Sequence, residues 1–294
     1  MPTQKVMMQS GRVKTEGDEL YYEVRGKGQP LLLIPGGGGD GDLYLGIADI
    51  LADEFKVILY DRRANARSTL NNPQNFEISQ QSRDAVAVLQ ACGEESAFVF
   101  GNSSGANIAL DMAKTYPQAV RCVVAHEPPL PRLHPQAKKW QRFFASVYQT
   151  GFGLGGSSLA AIRFFFGIEV PALEMIKAQT NLIKQNKERR EQSEQPRIAS
   201  KDATDFLIQQ ELLPVTNYLP NIAGIQQNRT RVFVAIGKWS LEHKNWLAEV
   251  AQILAKKLGC ELAIFPGHHG SFMDMPVEFA ETLRTILRKS DHKE

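Results

Sequence analysis

Cysteine is scarce: Cys92, Cys122 and Cys260 are the three in 294 residues. An odd number at wide spacing gives no disulfide framework and no metal-ligand pattern, so these thiols are expected to be buried in a reducing cytosol. No apolar run reaches the roughly 20 residues that a membrane-spanning helix needs. Excess charge is missing as well. A formal net charge of +2, with no long basic run interleaved with aromatics, argues against a dedicated nucleic-acid binder. Internal repeats and low-complexity segments are absent. Between Met1 and Lys14 the one apolar patch is Val6-Met7-Met8, too short for a signal-peptide core, and the expected location is the cytoplasm. What is present is ordinary for a globular protein. Hydrophobic residues at 43% and charged residues at 22% suffice for one large α/β domain with an insertion, or for two modest domains.

The chain is organised around Phe98-Val99-Phe100-Gly101-Asn102-Ser103-Ser104-Gly105, a short apolar run that ends in Gly-x-Ser-x-Gly and passes at once into a helical pattern. That is the shape of a nucleophile elbow. Gly101 and Gly105 lack a Cβ, so strand and helix can approach closely while Ser103 takes a strained conformation at the turn. Its hydroxyl is then held at the strand's C-terminal edge, near the positive end of the next helix. The backbone N–H of Ser104 is placed to meet a developing oxyanion.

Around this elbow the pattern alternates between strand and helix. A hairpin is expected over residues 11 to 25, turning at Glu16-Gly17-Asp18. Leu31-Leu32-Leu33-Ile34 is too apolar to have a wet face, so it belongs inside a helix-covered sheet. It opens into Pro35 and four glycines, Gly36 to Gly39, at the strand end where α/β sheets place ligands. The pattern predicts a helix over Leu43–Ala52, a strand over Lys56–Tyr60, a helix over Ser79–Cys92, the elbow strand over Ser96–Phe100 and its helix over Ser104–Tyr116. A strand then follows over Arg121–His126. At Pro128 the rhythm breaks, and about a hundred residues carry only helical patterns: Gln136–Gln149, Ser158–Phe166, Pro171–Asn186 and Ala203–Leu212. A glycine-rich hinge is expected at Gly151–Gly156 and a charged turn at Lys187-Glu188-Arg189-Arg190-Glu191. Alternation resumes with a strand over Arg231–Ile236, a helix over Lys244–Leu258, a strand over Glu261–Phe265 and a helix over Met275–Arg288.

Four stretches in this order resemble the α/β-hydrolases. Leu31-Leu32-Leu33-Ile34-Pro35-Gly36-Gly37 resembles that family's strand into a His-Gly oxyanion loop, with Pro35 where His is usual. Tyr60-Asp61-Arg62-Arg63-Ala64-Asn65-Ala66-Arg67-Ser68 resembles its Asp-x-Arg-Gly-x-Gly-x-Ser loop, with Ala64 and Ala66 in place of both glycines. The elbow at Ser103 fits, and Phe265-Pro266-Gly267-His268-His269-Gly270 resembles the stretch that brings in the catalytic histidine. The resemblance covers nearly the whole chain. It implies a mostly parallel eight-stranded sheet flanked by helices, with an inserted helical cap. Residues 1–127 and 230–294 would form the core domain, and 128–229 the cap.

It also implies roles. Ser103 would be the nucleophile, with the N–H groups of Gly37 and Ser104 as the oxyanion hole. Two histidines compete for the base, and the family's Pro-Gly-x-His pattern selects His269 over His268. A neutral imidazole is needed because serine is unreactive at its own pKa. The acid is less plain. Its commonest position follows the strand over Val232–Ile236, where this chain reads Gly237-Lys238-Trp239-Ser240 and has no carboxylate. Glu127, after the strand that follows the elbow helix, stands at the family's other location. Glu242 is the next candidate, and a dyad without acid is the third.

The implied activity is cleavage of a carboxylic ester or lactone through an acyl-enzyme, with no cofactor and no metal. A cap rich in aromatics (Trp140, Phe143, Phe144, Tyr148, Phe152, Phe164, Phe165, Phe166) suggests a small-molecule substrate with an apolar moiety. No membrane or nucleic-acid partner is expected. Serine at the elbow argues against hydrolytic dehalogenation and epoxide opening, which use an elbow aspartate in that family. The same constellation also serves cofactor-free haloperoxidase- and lyase-type chemistry, and a non-catalytic ligand-binding homologue is a further alternative.

Overall fold

The computed structural model describes residues 8–71, 76–188 and 195–291. Of the charged turn expected at 187–191, Lys187 and Glu188 alone fall among them, and Val6 and Met7 of the N-terminal patch lie outside them. Eight strands form one sheet: β1 (Met8–Thr15), β2 (Asp18–Arg25), β3 (Gln29–Ile34), β4 (Phe55–Tyr60), β5 (Ala97–Asn102), β6 (Val120–His126), β7 (Val232–Gly237) and β8 (Glu261–Phe265). Their spatial order is β1-β2-β4-β3-β5-β6-β7-β8. The hairpin β1–β2 runs antiparallel and joins the rest through an antiparallel β2–β4 pairing, while every pairing from β4 to β8 is parallel. The mostly parallel eight-stranded sheet expected from the sequence is therefore the one observed.

This order decides where a site can form. From β3 the chain steps to β4 on one side, then returns to place β5 on the other. The loops leaving β3 and β5 thus diverge at a topological switch point, where α/β sheets open a crevice at their carboxyl edge. The glycine loop leaves β3 there and Ser103 leaves β5.

Helices cover both faces. α1 (Leu45–Leu51) and the C-terminal helix Pro276–Asp291 bury Ile47, Leu51, Phe279 and Leu283 against Leu31, Leu33, Phe98 and Phe100. On the other face α2 (Ile78–Ala91), α3 (Ser104–Thr115) and the helix Trp246–Leu258 pack Val88, Ile108 and Leu254 against Leu32, Ile34 and Val99. The near-continuous apolar strands follow from this double covering. Close packing of β5 on α3 depends on glycine: a Cβ on Gly101 would fall 2.2 Å from the Gly105 carbonyl oxygen.

Between β6 and β7 the described chain is helical. The helices Ala137–Gly151, Gly156–Gly167 and Ala172–Gln185 stand close to the predicted ranges. The Gly151–Gly156 stretch is the turn between the first two. The single helix expected over Ala203–Leu212 is instead three segments: Ser200–Phe206, a π-helical turn Leu207–Glu211, and Leu212–Asn217. A further helix, Ile222–Asn228, returns to the core, where the Asn228 side-chain amide donates to the Ala113 and Lys114 carbonyls. Aromatic packing docks the helical layer on the sheet's helices: Trp140 lies 4.7 Å from Trp246, centroid to centroid and tilted by 30°, and the Trp246 indole donates to the Ile168 carbonyl.

The loop after β4 carries alanine at both positions where the resembling loop has glycine. Ala64 and Ala66 nevertheless hold φ of +63° and +48°, the left-handed conformation glycine would adopt. Buried contacts outweigh the steric cost. The Asp61 carboxylate accepts from the Gly41 and Arg67 N–H groups and from the Arg67 guanidinium, while Ala64 N–H bonds the Thr69 carbonyl.

Candidate active site

Ser103 sits between β5 and α3 with φ +55° and ψ −125°, a strained conformation for any residue with a side chain. Backbone bonds hold it there: its N–H donates to the His126 carbonyl, and its carbonyl accepts from the Ala106 and Asn107 N–H groups. Ser103, Ser104, Gly37 and His269 line one cavity of about 50 Å³. Its remaining walls are mostly apolar, with Pro129, Phe144 and Phe164 among them. Leu207 and Gly37 separate it from a second, more polar chamber of about 420 Å³ that Arg197 and Thr204 also line. A depression of about 370 Å³ near Thr230–Phe233 and Gly259–Glu261 lies where β7 and β8 begin, at the opposite edge of the sheet from Ser103.

The Gly37 backbone is aimed by a side chain. The Arg62 guanidinium donates to the Gly36 carbonyl at 2.6 Å. In a trans peptide the N–H points opposite to the C=O, so fixing the Gly36 oxygen also fixes the direction of the Gly37 N–H. Arg62 is fully buried and is held in turn by Glu211 from the π-turn, at 2.7 Å. It also reaches the Ser104 hydroxyl at 3.4 Å.

His269 lies in the loop after β8. Its Nδ1 donates to Glu127 Oε2 at 2.6 Å, while Glu127 Oε1 accepts the Gly237 N–H at 2.9 Å. Glu127 follows β6 with φ +46° and is fully buried. Burial by itself would raise its pKa. The hydrogen bond and charge of His269, then His126 and the Ser240 hydroxyl, outweigh burial and hold the carboxyl down at about 2. The position that lacks an acid thus contributes a hydroxyl to the acid next to it. Glu242 is more than half exposed and pairs with Lys238 on its own helix. His268 turns elsewhere: its Nδ1 accepts the Gly270 N–H and its Nε2 faces Asp274.

Asn102 and His126 were not singled out in the sequence. The Asn102 amide donates both to His126 Nδ1 at 2.9 Å and to the His269 carbonyl at 3.0 Å, so it ties the His269 loop to the end of β5. His126 is fully buried beside Phe265 and Phe279, and desolvation pushes its pKa down to about 4. It therefore stays neutral and accepts through Nδ1. The one signal in the sequence was that both residues end strands at the sheet's carboxyl edge. Among the expected cap aromatics, Phe144 and Phe164 line the Ser103 cavity and Phe165 the second chamber, while Phe152 and Phe166 are exposed. Trp140 is buried against Phe144 and Trp246.

Residues 29–159 match a family model described as the alpha/beta hydrolase fold. An uncharacterised hydrolase of Bacillus subtilis, YraK, is 28% identical over 283 residues, covering 95% of this chain and 96% of that protein. A putative carbamate hydrolase of Azorhizobium caulinodans, RutD, is 38% identical over 104 residues, 35% of this chain and 38% of that one. Among solved structures, the enol-lactonase from Burkholderia xenovorans LB400 superposes with a TM-score of 0.71 at 17% identity, covering 95% of this chain and 100% of that one, a likeness of fold.

Proposed function

The chain belongs to the α/β-hydrolase superfamily, and from that premise we propose that it is a serine hydrolase cleaving a carboxylic ester or lactone through an acyl-enzyme. One observation carries the proposal. A strained elbow serine and a histidine bonded to a buried carboxylate at 2.6 Å share one cavity.

In this reading His269, neutral and bearing its proton on Nδ1, accepts the Ser103 hydroxyl proton at Nε2. Ser103 Oγ attacks the substrate carbonyl carbon. The resulting oxyanion is held by the N–H groups of Gly37 and Ser104, contacts worth about 3 kcal/mol each in comparable sites. Glu127 keeps the proton on Nδ1 and stabilises the imidazolium. Collapse of the intermediate expels the alcohol oxygen, which takes the proton from Nε2. Water, deprotonated by His269, then attacks the acyl-enzyme, and its collapse releases the acid and restores Ser103.

Residues 1–127 and 230–294 supply this machinery, and the cap over 128–229 selects the substrate. The apolar wall formed by Phe144, Phe164, Ile168 and Leu212 supports a substrate with an apolar moiety, acted on in the cytoplasm. Partial likeness to a putative carbamate hydrolase supports a second reading, in which the same acyl transfer cleaves a carbamate. Hydrolysis of p-nitrophenyl butanoate and of an aryl carbamate by the wild-type protein and by Ser103→Ala tests both. Turnover of the ester that Ser103→Ala abolishes is expected. Equal rates in the two proteins would refute the role of Ser103.

A further inference from the structure

The cavity above Ser103 contains a carboxylate that the proposed reaction does not use. Glu211 is 1% exposed and lines the cavity with Ser103 and His269. Its Oε1 accepts from Arg62, and no donor among the described residues reaches Oε2. Beside the nucleophile candidate Ser103, the lining's other polar side chains have partners: Thr216 donates to the Leu212 carbonyl, the Trp246 indole to the Ile168 carbonyl, the Ser104 hydroxyl accepts from Arg62, and His269 is held by Glu127. The π-turn over Leu207–Glu211 brings this residue to the wall; such turns interrupt helices where a side chain must be re-aimed. A buried carboxylate oxygen left without a donor is costly, so its retention in an otherwise apolar wall points to a ligand group that completes it.

The sign of that group follows from Arg62. The guanidinium and the carboxylate are both buried and face each other, so their formal charges cancel. A substrate ammonium would add an uncompensated buried charge. A hydroxyl or an amide N–H would satisfy Oε2 without one. We propose that Glu211 determines specificity in this cavity, and that the substrate carries a neutral hydrogen-bond donor which Oε2 accepts. This rests on the reading of the cavity as the substrate site of a serine hydrolase.

Binding to the Ser103→Ala protein separates recognition from turnover. Dissociation constants are measured for ethyl 2-hydroxybutanoate, ethyl 3-hydroxybutanoate and 2-hydroxyethyl butanoate, each against its methyl ether. At least one hydroxyl compound should bind about ten- to a hundredfold more tightly than its ether, as expected for a hydrogen bond to a buried charged acceptor. In the Ser103→Ala/Glu211→Gln protein Arg62 must still meet an oxygen, which turns the amide NH2 toward the cavity. The NH2 is a donor that the hydroxyl and the ether oxygen can both accept, so the hydroxyl-to-ether preference should fall to about one. No hydroxyl preference in Ser103→Ala, or an unchanged ratio in the double variant, overturns the proposal. Should the double variant fail to fold, the ratio in Ser103→Ala still decides. The hydrolase reading fails separately, if the wild-type protein turns over none of these esters while the binding preference stands.

Discussion

Glu127→Gln preserves shape and removes one charge, and the structure says which way the new amide must face. Glu127 Oε1 accepts the Gly237 N–H, so a glutamine oxygen is needed there. Its NH2 is then directed at His269 Nδ1. A ring nitrogen facing a donor must be an acceptor, which forces the proton onto Nε2, where Ser103 needs a base. Two effects combine. The hydrogen bond and charge of His269 outweigh full burial and hold Glu127 down at about 2, and a glutamine carries no charge to stabilise the imidazolium. With the wrong tautomer added, the loss in kcat should reach about four orders of magnitude, as when the triad aspartate of a serine protease is replaced by asparagine. KM should change far less. The assay is steady-state hydrolysis of p-nitrophenyl butanoate at pH 7.5, with circular dichroism as the check on folding. Glu242→Gln serves as the control and should keep wild-type rates, because Glu242 is solvent-exposed and pairs only along its helix among the described residues. A folded Glu127→Gln protein with kcat within tenfold of wild type would refute the reasoning.

His269→Ala should lower kcat by at least a thousandfold while His268→Ala stays within about tenfold, and equal residual rates would remove the distinction between them. His126 gives a pH dependence of stability. Its folded pKa of about 4 lies below the ordinary 6.5, so the unfolded chain binds more protons between these values. Stability from this residue is complete above about pH 6.5 and falls by about 3 kcal/mol as pH drops to 4. Urea unfolding of wild type and His126→Gln at pH 7, 5.5 and 4.5 should show a shallower decline in the variant; parallel curves would contradict the assignment. Ala64→Gly, at φ +63°, should be neutral or stabilise by up to about 1 kcal/mol, read as an unchanged or higher urea midpoint, whereas a clear loss would mean that the left-handed turn is not strained.

What was legible in the sequence is what depends on neighbours in the chain. Gly101-Asn102-Ser103-Ser104-Gly105 encodes its own turn, and the buried strands announce themselves by composition. Glu127 was a candidate through the resemblance, which puts an alternative acid at the end of the strand after the elbow helix. The Arg62–Glu211 pair was not legible, since its members are 149 residues apart and meet only in the folded structure. Nor was the π-turn, because Phe206 to Leu212 has the same apolar spacing in an unbroken helix. The left-handed turn at Ala64 and Ala66 was hidden for a physical reason. Alanine seldom adopts positive φ, and only the buried Asp61–Arg67 contacts make that conformation the favoured one.

The central claim is that Ser103 is a nucleophile activated in place. Reaction with a fluorophosphonate, followed by intact-mass measurement and peptide mapping, tests it most directly. One adduct per chain, located on Ser103, lost in Ser103→Ala and strongly slowed in Glu127→Gln, is the predicted result. A folded wild-type protein that stays unlabelled, or an adduct mapping to another residue, would contradict it.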